Sequence, residues 1–268
     1  MIIGGKDFKT SDTTYVMGIL NVTPDSFSDG GQFNTRDAAL SHVEQMILEG
    51  ADIIDVGGES TRPGFTAVSA QEEIERVSGI IADIKERFDI PISIDTHKSE
   101  VAREAIKAGA DLINDVCALA YDDDMGRVVA ESGLPCVLMH NSLSPVVKLP
   151  DDMDSFMEGA LKRAKDAGIK KENIILDPGI GFGKSTAQNL MILADENYML
   201  PPGYPVLLGV SRKKVIGNTL NLPVSERLEG VLAITALASW RGIMFVRVHD
   251  VKENRRVIDM TEAIRANG

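Results

Sequence analysis

Polar and ionisable residues stand where short apolar runs end. Asn21 follows YVMGIL, Asp95 closes ISID, Asn114 lies in IND and His140 in MHN. Asp177 opens DPGIGFGK, Lys213 lies in GVSRKK, and Arg247 and His249 lie in RVHD. Asp95, Asn114 and Asp177 supply acceptors that suit a flat heterocycle with N–H groups, such as a pterin or a purine. A carboxylate takes two N–H donors from a guanidine-like edge, and a wrong ring leaves a buried charge unpaired. For Asp177, ahead of Pro178-Gly179, an ordinary turn role competes with this reading; for Asp95 it competes weakly. The cations Arg62, Lys213, Arg247 and His249, with Lys184 and Arg212 nearby, form a set for a phosphate or diphosphate. The glycine-rich turns GGESTRPG and GIGFGK add backbone N–H groups of the kind that hold phosphate oxygens. GIGFGK lacks the spacing of a P-loop.

The elements that must position these groups follow one rhythm. Strand-like runs fall at Tyr15–Leu20, Asp52–Val56, Pro91–Ile94, Asp111–Ile113, Pro135–Met139, Asn173–Leu176, Pro205–Val210 and Phe245–Val248. They are apolar on both faces, as strands of a covered parallel sheet are. Helical patterns alternate with them. Ser69 and Glu72 read as a capping box ahead of Ile74, Val77, Ile81 and Ile84, and Ser99 as the cap of EVAREAIKAGA. Gly50, Gly109 and Gly168 follow the last turns of three helices, the usual stop signal. Eight even strand–helix units predict one α/β domain over residues 1–268, a (β/α)8 TIM barrel, with an open doubly wound sheet as the competing fold. In such a barrel every strand delivers its polar end to the same rim, where active sites are built.

The loop NVTPDSFSDGG (Asn21 to Gly31) then has a use. The Asn21 amide oxygen at the rim suits Mg2+, which keeps most of its waters and takes few protein ligands. The Pro, Gly, Asp and Ser residues read as a flap able to close over substrate, with Phe27 as its apolar lid. An ordinary polar loop is the alternative. His42 reads as a helix-face residue, His97 as either catalytic or a loop residue, and Trp240 and the methionines as core.

The totals set bounds. Among 268 residues, 44% are hydrophobic and 25% charged, enough for a sizeable core under a polar surface. The net charge of -12 argues against nucleic acid as a partner and requires any anion to be held by local cations. No apolar run is long enough to span a bilayer, and the first residues do not read as a signal peptide. Cys117 and Cys136 have neither metal-ligand nor disulfide-framework spacing, so a cytoplasmic location is the expectation.

GILNVTPDSFSDGG, DVGGESTRPG, SIDT, IND, LMHN, LDPGIGFGK, GVSRK and RVHDV together resemble dihydropteroate synthase of folate biosynthesis, over about Gly18 to Val251. The resemblance implies a (β/α)8 enzyme joining 4-aminobenzoate to a hydroxymethyl-dihydropterin diphosphate, with dihydropteroate and diphosphate as products. It implies that Asp95, Asn114, Asp177 and Lys213 bind the pterin. Asn21, Arg247 and His249 would hold diphosphate and Mg2+, with Thr61 and Arg62 from the second loop. Phe27, Pro63 and Phe182 would form the aminobenzoate pocket, and the family is typically homodimeric. The chain departs from the pattern in two places. Lys214 stands where the family usually has Ser, near the aminobenzoate carboxylate, and the NSLSPVVKLPDD loop after His140 differs. Two other readings compete: a pterin-binding methyltransferase barrel, which does not need the cationic rim, and a paralogue that binds pterin without turning it over.

Overall fold

The computed structural model describes residues 1–9, 13–22, 32–59, 68–142, 145–195 and 200–268. A two-stranded hairpin, β1 (Ile2–Ile3) and β2 (Lys6–Asp7), precedes the eight strands of one parallel sheet. These are β3 (Tyr15–Asn21), β4 (Ile53–Gly57), β5 (Ile92–Asp95), β6 (Leu112–Asp115), β7 (Cys136–Met139), β8 (Ile174–Asp177), β9 (Leu207–Gly209) and β10 (Phe245–Val248). Neighbours pair in sequence from β3 to β8, and β10 lies between β3 and β9. A parallel bridge between Leu176 and Val206 joins β8 to the run into β9, which makes the barrel. Each predicted strand is present within two residues of its expected bounds, and the open sheet is excluded.

Nine α-helices are present among the described residues, and most cover the strands from outside. They are α1 (Gln32–Leu48), α2 (Ala70–Arg87), α3 (Ser99–Ala108), α4 (Met125–Ser132), α5 (Asp151–Ala167), α6 (Thr186–Ala194), α7 (Lys214–Leu220), α8 (Leu228–Trp240) and α9 (Val251–Arg265). Gly109 and Gly168 end α3 and α5 in the left-handed conformation, and Gly50 follows α1 with a positive φ, as expected. Three local expectations change. At α2 only half a capping box forms: Ser69 Oγ accepts from Glu72 N at 3.2 Å, while the Glu72 carboxylate pairs with Arg76. At α3 the cap is Lys98. Ser99 is already helical, and its N–H donates to Asp122 Oδ2 at 2.8 Å. Trp240 on α8, Met191 on α6 and Met260 on α9 are exposed, because these helices carry apolar residues beyond the face that the barrel covers.

Strand alternation divides the interior. Val16, Ile54, Ile94, Ile113, Leu138, Leu176 and Val246 face outward into the layer shared with the helices. Met17, Ile53, Leu112, Val137, Ile175, Leu207 and Phe245 face inward and fill the lower lumen. Ile3 and Phe8 from the N-terminal hairpin close that layer from below. Phe8, Tyr15 and Phe245 stack with centroids 4.8 to 5.8 Å apart, each contact adding about 1 kcal/mol beyond area burial. The hairpin turns at Gly4-Gly5, both with positive φ, which a two-residue turn of this hand requires.

At the upper rim, Lys184 locks the β8–α6 connection. Its ammonium donates to Gly179 O at 2.9 Å and Phe182 O at 3.1 Å, and meets His140 Nδ1 at 2.7 Å. A Cβ on Gly179 would lie 1.8 Å from His140 O, so no other residue fits there. Burial and the adjacent Lys184 charge push the His140 pKa down to about 4. In the unfolded chain it titrates near 6.5. Between these values the unfolded state binds the extra proton, so this group's contribution to stability is lost as pH falls from 6.5 toward 4. The loss is on the order of 3 kcal/mol. Urea melts across this window should show a clearly shallower pH slope for His140→Asn than for the unsubstituted chain; equal slopes would reject the coupling.

Candidate active site at the barrel mouth

The inward positions change character one layer above the apolar floor. Asp55, Asp95, Asn114, Asp177 and Arg247 occupy them, on β4, β5, β6, β8 and β10. Their alternation partners Ile54, Ile94, Ile113, Leu176 and Val246 are packed outside, so a one-residue slip would reverse every one of these groups. Lys213 enters from the turn after β9, at the N-cap of α7.

Arg247 ties the ring together. Its Nε donates to Asp55 Oδ2 at 2.6 Å and one terminal nitrogen donates to Asp95 Oδ2 at 2.7 Å. Asn114 Nδ2 adds weak contacts to both Asp55 oxygens at 3.4 Å. Burial opposes the Arg247 charge, but Asp55 and Asp95 outweigh it and hold its pKa above the usual value. Asp95 moves the other way: burial raises its pKa despite Arg247, and the neighbouring Asp55 adds to the rise. Its second oxygen, Oδ1, is buried without a hydrogen-bond partner among the described residues. Ser93 Oγ, one inward position below on the same strand, is in the same condition. A buried acceptor of this kind costs about 1–3 kcal/mol unless something donates to it.

Asp177 has two roles at once. Its Oδ1 accepts from Gly179 N at 2.7 Å, which is the turn role weighed above. Its Oδ2 lies 3.9 Å from the Cβ position of Gly209, and Lys213 Nζ lies 3.7 Å from the same point. Burial raises the Asp177 pKa against the pull of Lys213, and lowers that of Lys213 to about 8. Lys213 Nζ also sits 4.8 Å from the ring centroid of half-buried Phe182. Asn21 closes the ring on β3. Its Oδ1 and Asp95 Oδ2 are each 3.8 Å from the Cβ position of Gly57. His249 is held by Ser211, whose Oγ is 2.9 Å from Nδ1.

The cation set is smaller than expected. Lys184 is consumed by backbone carbonyls and His140, so it is a lock. Arg212 pairs with Asp250 at 3.1 Å and is exposed. The GIGFGK turn is also committed: Gly179 N binds Asp177, Gly181 N donates to Asn189 Oδ1 at 2.7 Å, and Phe182 N to Gly179 O at 3.1 Å. Lys214 is exposed as the first residue of α7. His42 is exposed, and His97 is buried edge-on against Tyr121 at 4.3 Å. Phe27, Thr61, Arg62 and Pro63 lie outside the described residues.

Asp55 is the residue that the strand-end reading passed over, because it lies inside the run IIDVG. The signal was present: an ionisable residue within a strand covered on both faces must have a buried partner. Replacing Asp55 with Asn leaves Arg247 with one of its two carboxylates. A loss of about 3 kcal/mol in denaturant melts is expected; a loss under about 1 kcal/mol would show that Asp55 does not anchor the arginine.

The family model for pterin binding enzyme matches residues 17–249. A dihydropteroate synthase of Clostridium beijerinckii is 55% identical over 266 residues, covering 98% of this chain and 99% of that protein. A crystal structure of the Clostridium difficile dihydropteroate synthase, obtained in the presence of pteroic acid, superposes with TM-score 0.93 at 47% identity, covering 96% of this chain and 99% of that one. The Xanthomonas albilineans dihydropteroate synthase with 4-aminobenzoic acid superposes with TM-score 0.90 at 42% identity, covering 95% and 94%. On this footing the chain belongs to the pterin binding enzyme family, among its dihydropteroate synthases.

Proposed function

We propose that the barrel mouth joins 4-aminobenzoate to (7,8-dihydropterin-6-yl)methyl diphosphate, giving 7,8-dihydropteroate and diphosphate. The observation that carries this is the ring of Asp95, Asn114, Asp177 and Lys213, with a buried carboxylate oxygen of Asp95 still able to accept. A pterin offers the N–H edge that such acceptors select, and Lys213 supplies the donor for a ring acceptor. Pteroic acid and 4-aminobenzoic acid in the relatives' structures support the same substrate classes.

Arg247 has donors for two tasks. Asp55 and Asp95 take two of its five N–H groups, and the other three can meet diphosphate oxygens. His249, Thr61 and Arg62 complete the anion side. The donor set fits Mg2+: Asn21 offers one amide oxygen at the mouth, and no cluster of His, Cys, Asp and Glu among the described residues would hold a more demanding ion. Bound there with the substrate phosphates, Mg2+ would neutralise charge on the leaving diphosphate. The C–O bond breaks with its electron pair leaving on diphosphate. The methylene cation is conjugated with the pterin ring, and ionised Asp95 stabilises it. The aromatic amine then attacks the methylene carbon to form the C–N bond and gives up a proton. Phe27, Pro63 and Phe182 would hold the aminobenzoate ring, with Lys214 paired to its carboxylate.

No helix among the described residues is long and apolar enough to cross a membrane, and a cytoplasmic location is proposed with the reaction. So is a homodimer, since α8 and α9 leave Leu237, Trp240, Met260 and Ile264 exposed.

Diphosphate and dihydropteroate should appear together, mole for mole, when pterin diphosphate, Mg2+ and 4-aminobenzoate are supplied. Bound pterin with no diphosphate release would overturn the reading in favour of a non-catalytic binder, and methyl transfer from a methylated folate would point to the methyltransferase. Asp95→Asn should lower kcat/KM at least about 100-fold. Lys214→Ser should raise KM for 4-aminobenzoate several-fold; an unchanged KM would remove the proposed pairing.

A further inference from the structure

The turn after β9 and the residue that follows β10 meet through one hydroxyl. Ser211 Oγ lies 2.9 Å from His249 Nδ1 and accepts from the His249 backbone N–H at 3.3 Å. Ser211 is buried, and these are the only hydrogen bonds of its hydroxyl among the described residues. The turn does not depend on that hydroxyl for its shape. Lys213 N donates to Val210 O at 3.1 Å, and Arg212 takes up the left-handed conformation with a φ of 61°. Arg227 donates to Arg212 O at 2.8 Å, and the Arg212 guanidinium donates to Asp250, the neighbour of His249, at 3.1 Å. Ser211 and His249 are therefore brought together by contacts that neither side chain supplies.

The count of protons at that hydroxyl fixes the imidazole. A serine hydroxyl has one proton to donate and two lone pairs to accept with. One lone pair takes the His249 backbone N–H. If Nδ1 also carried a proton, Ser211 Oγ would accept twice, and its own proton would be buried without an acceptor among the described residues. With Nδ1 unprotonated, the hydroxyl donates to it and each group has a partner. In a neutral imidazole the proton then sits on Nε2, since the hydrogen bond made by one ring nitrogen sets the state of the other. Nδ1 is turned to the β9–α7 turn, and Nε2 lies across the ring from it.

We infer that Ser211 is a positioning residue: its hydroxyl holds His249 as the Nε2–H tautomer, so that an uncharged imidazole still presents a donor to the substrate diphosphate. The inference rests on the reaction proposed above, in which His249 belongs to the anion side. The opposite tautomer would turn a lone pair toward phosphate oxygens and repel them. The donor matters because Asp55 and Asp95 already take two of the Arg247 N–H groups, and the leaving diphosphate gathers charge as the C–O bond breaks. The Ser211 hydroxyl makes no hydrogen bond to Asp95, Asp177 or Lys213 among the described residues. Its effect on the reaction therefore passes through His249.

The tautomer is read directly by NMR of the full chain with isotopically labelled histidine ring nitrogens, at pH about 8, where an ordinary imidazole is neutral. The chain has 4 histidines, so the signals that vanish in His249→Gln assign the ring. Nδ1 should resonate as a hydrogen-bonded, unprotonated nitrogen and Nε2 as a protonated one. A proton on Nδ1, whether in the other neutral tautomer or in an imidazolium, would overturn the inference. In Ser211→Ala the Nδ1 signal should move toward that of an acceptor without a donor. There kcat/KM for the pterin diphosphate should fall about 10-fold, with KM for 4-aminobenzoate within about 2-fold. Ser211→Thr, which keeps a hydroxyl, should recover most of the loss. In the His249→Gln background Ser211→Ala should have little further effect; equal losses in both backgrounds would mean that Ser211 acts elsewhere and would overturn the inference. If the unsubstituted chain releases no diphosphate, the reaction reading fails, and the ring spectrum still decides the tautomer. Should Ser211→Ala not fold, the spectrum of the unsubstituted chain carries the test by itself.

Discussion

One guanidinium organises the mouth of this barrel. Arg247 on β10 binds Asp55 on β4 and Asp95 on β5, across β3, at 2.6 and 2.7 Å. Without it, two inward carboxylates would face each other in a medium that solvates neither. With it, one carboxylate is spent on orienting the arginine, and the other keeps an oxygen for a ligand. Planarity matters: a lysine could neutralise one acid at a time but could not span both in a fixed plane. The apolar floor beneath, from Met17 to Phe245, keeps water from competing for those contacts.

Much of the fold was legible because a covered parallel sheet writes itself as short continuous apolar runs with breakers between them. Asp95, Asn114, Asp177 and His249 were legible for a related reason, since they follow the last apolar residue of a run, and Arg247 lies one residue from such an end. Asp55 was not, because inside a run it reads as an interruption, and only the period-two alternation assigns it to the lumen. Lys184, read as lying near the anion-binding cations, is instead engaged by backbone carbonyls and His140. Its charge and rim position are those of a phosphate binder, and nothing local in sequence shows that backbone carbonyls and His140 take up its protons. The N-terminal hairpin went unread: Gly4-Gly5 suits such a turn, but the burial of Ile3 and Phe8 depends on a floor assembled from distant strands.

The glycine turn after β8 shows how the same composition serves two ends. A run rich in glycine offers free N–H groups to phosphate only when the turn leaves them unpaired. Here Asp177, Asn189 and Gly179 O accept those N–H groups, and Lys184 closes the carbonyl side. The turn is rigid as a result, and its product is the placement of Asp177 and Phe182 beside Lys213.

The order in which the chain is made adds a constraint of its own. β3, near the start, is flanked in the barrel by β4 and by β10, the last strand. The pair Arg247–Asp55 spans 192 positions and Arg247–Asp95 spans 152. While the chain is being synthesised, the acids of β4 and β5 emerge long before their counter-ion, and the floor waits for Phe245. An incomplete chain therefore holds a sheet with two bare edges and uncompensated acids in its lumen, and it has little reason to settle. Closure of the barrel waits for β10, and pairings this distant in sequence are slow to form.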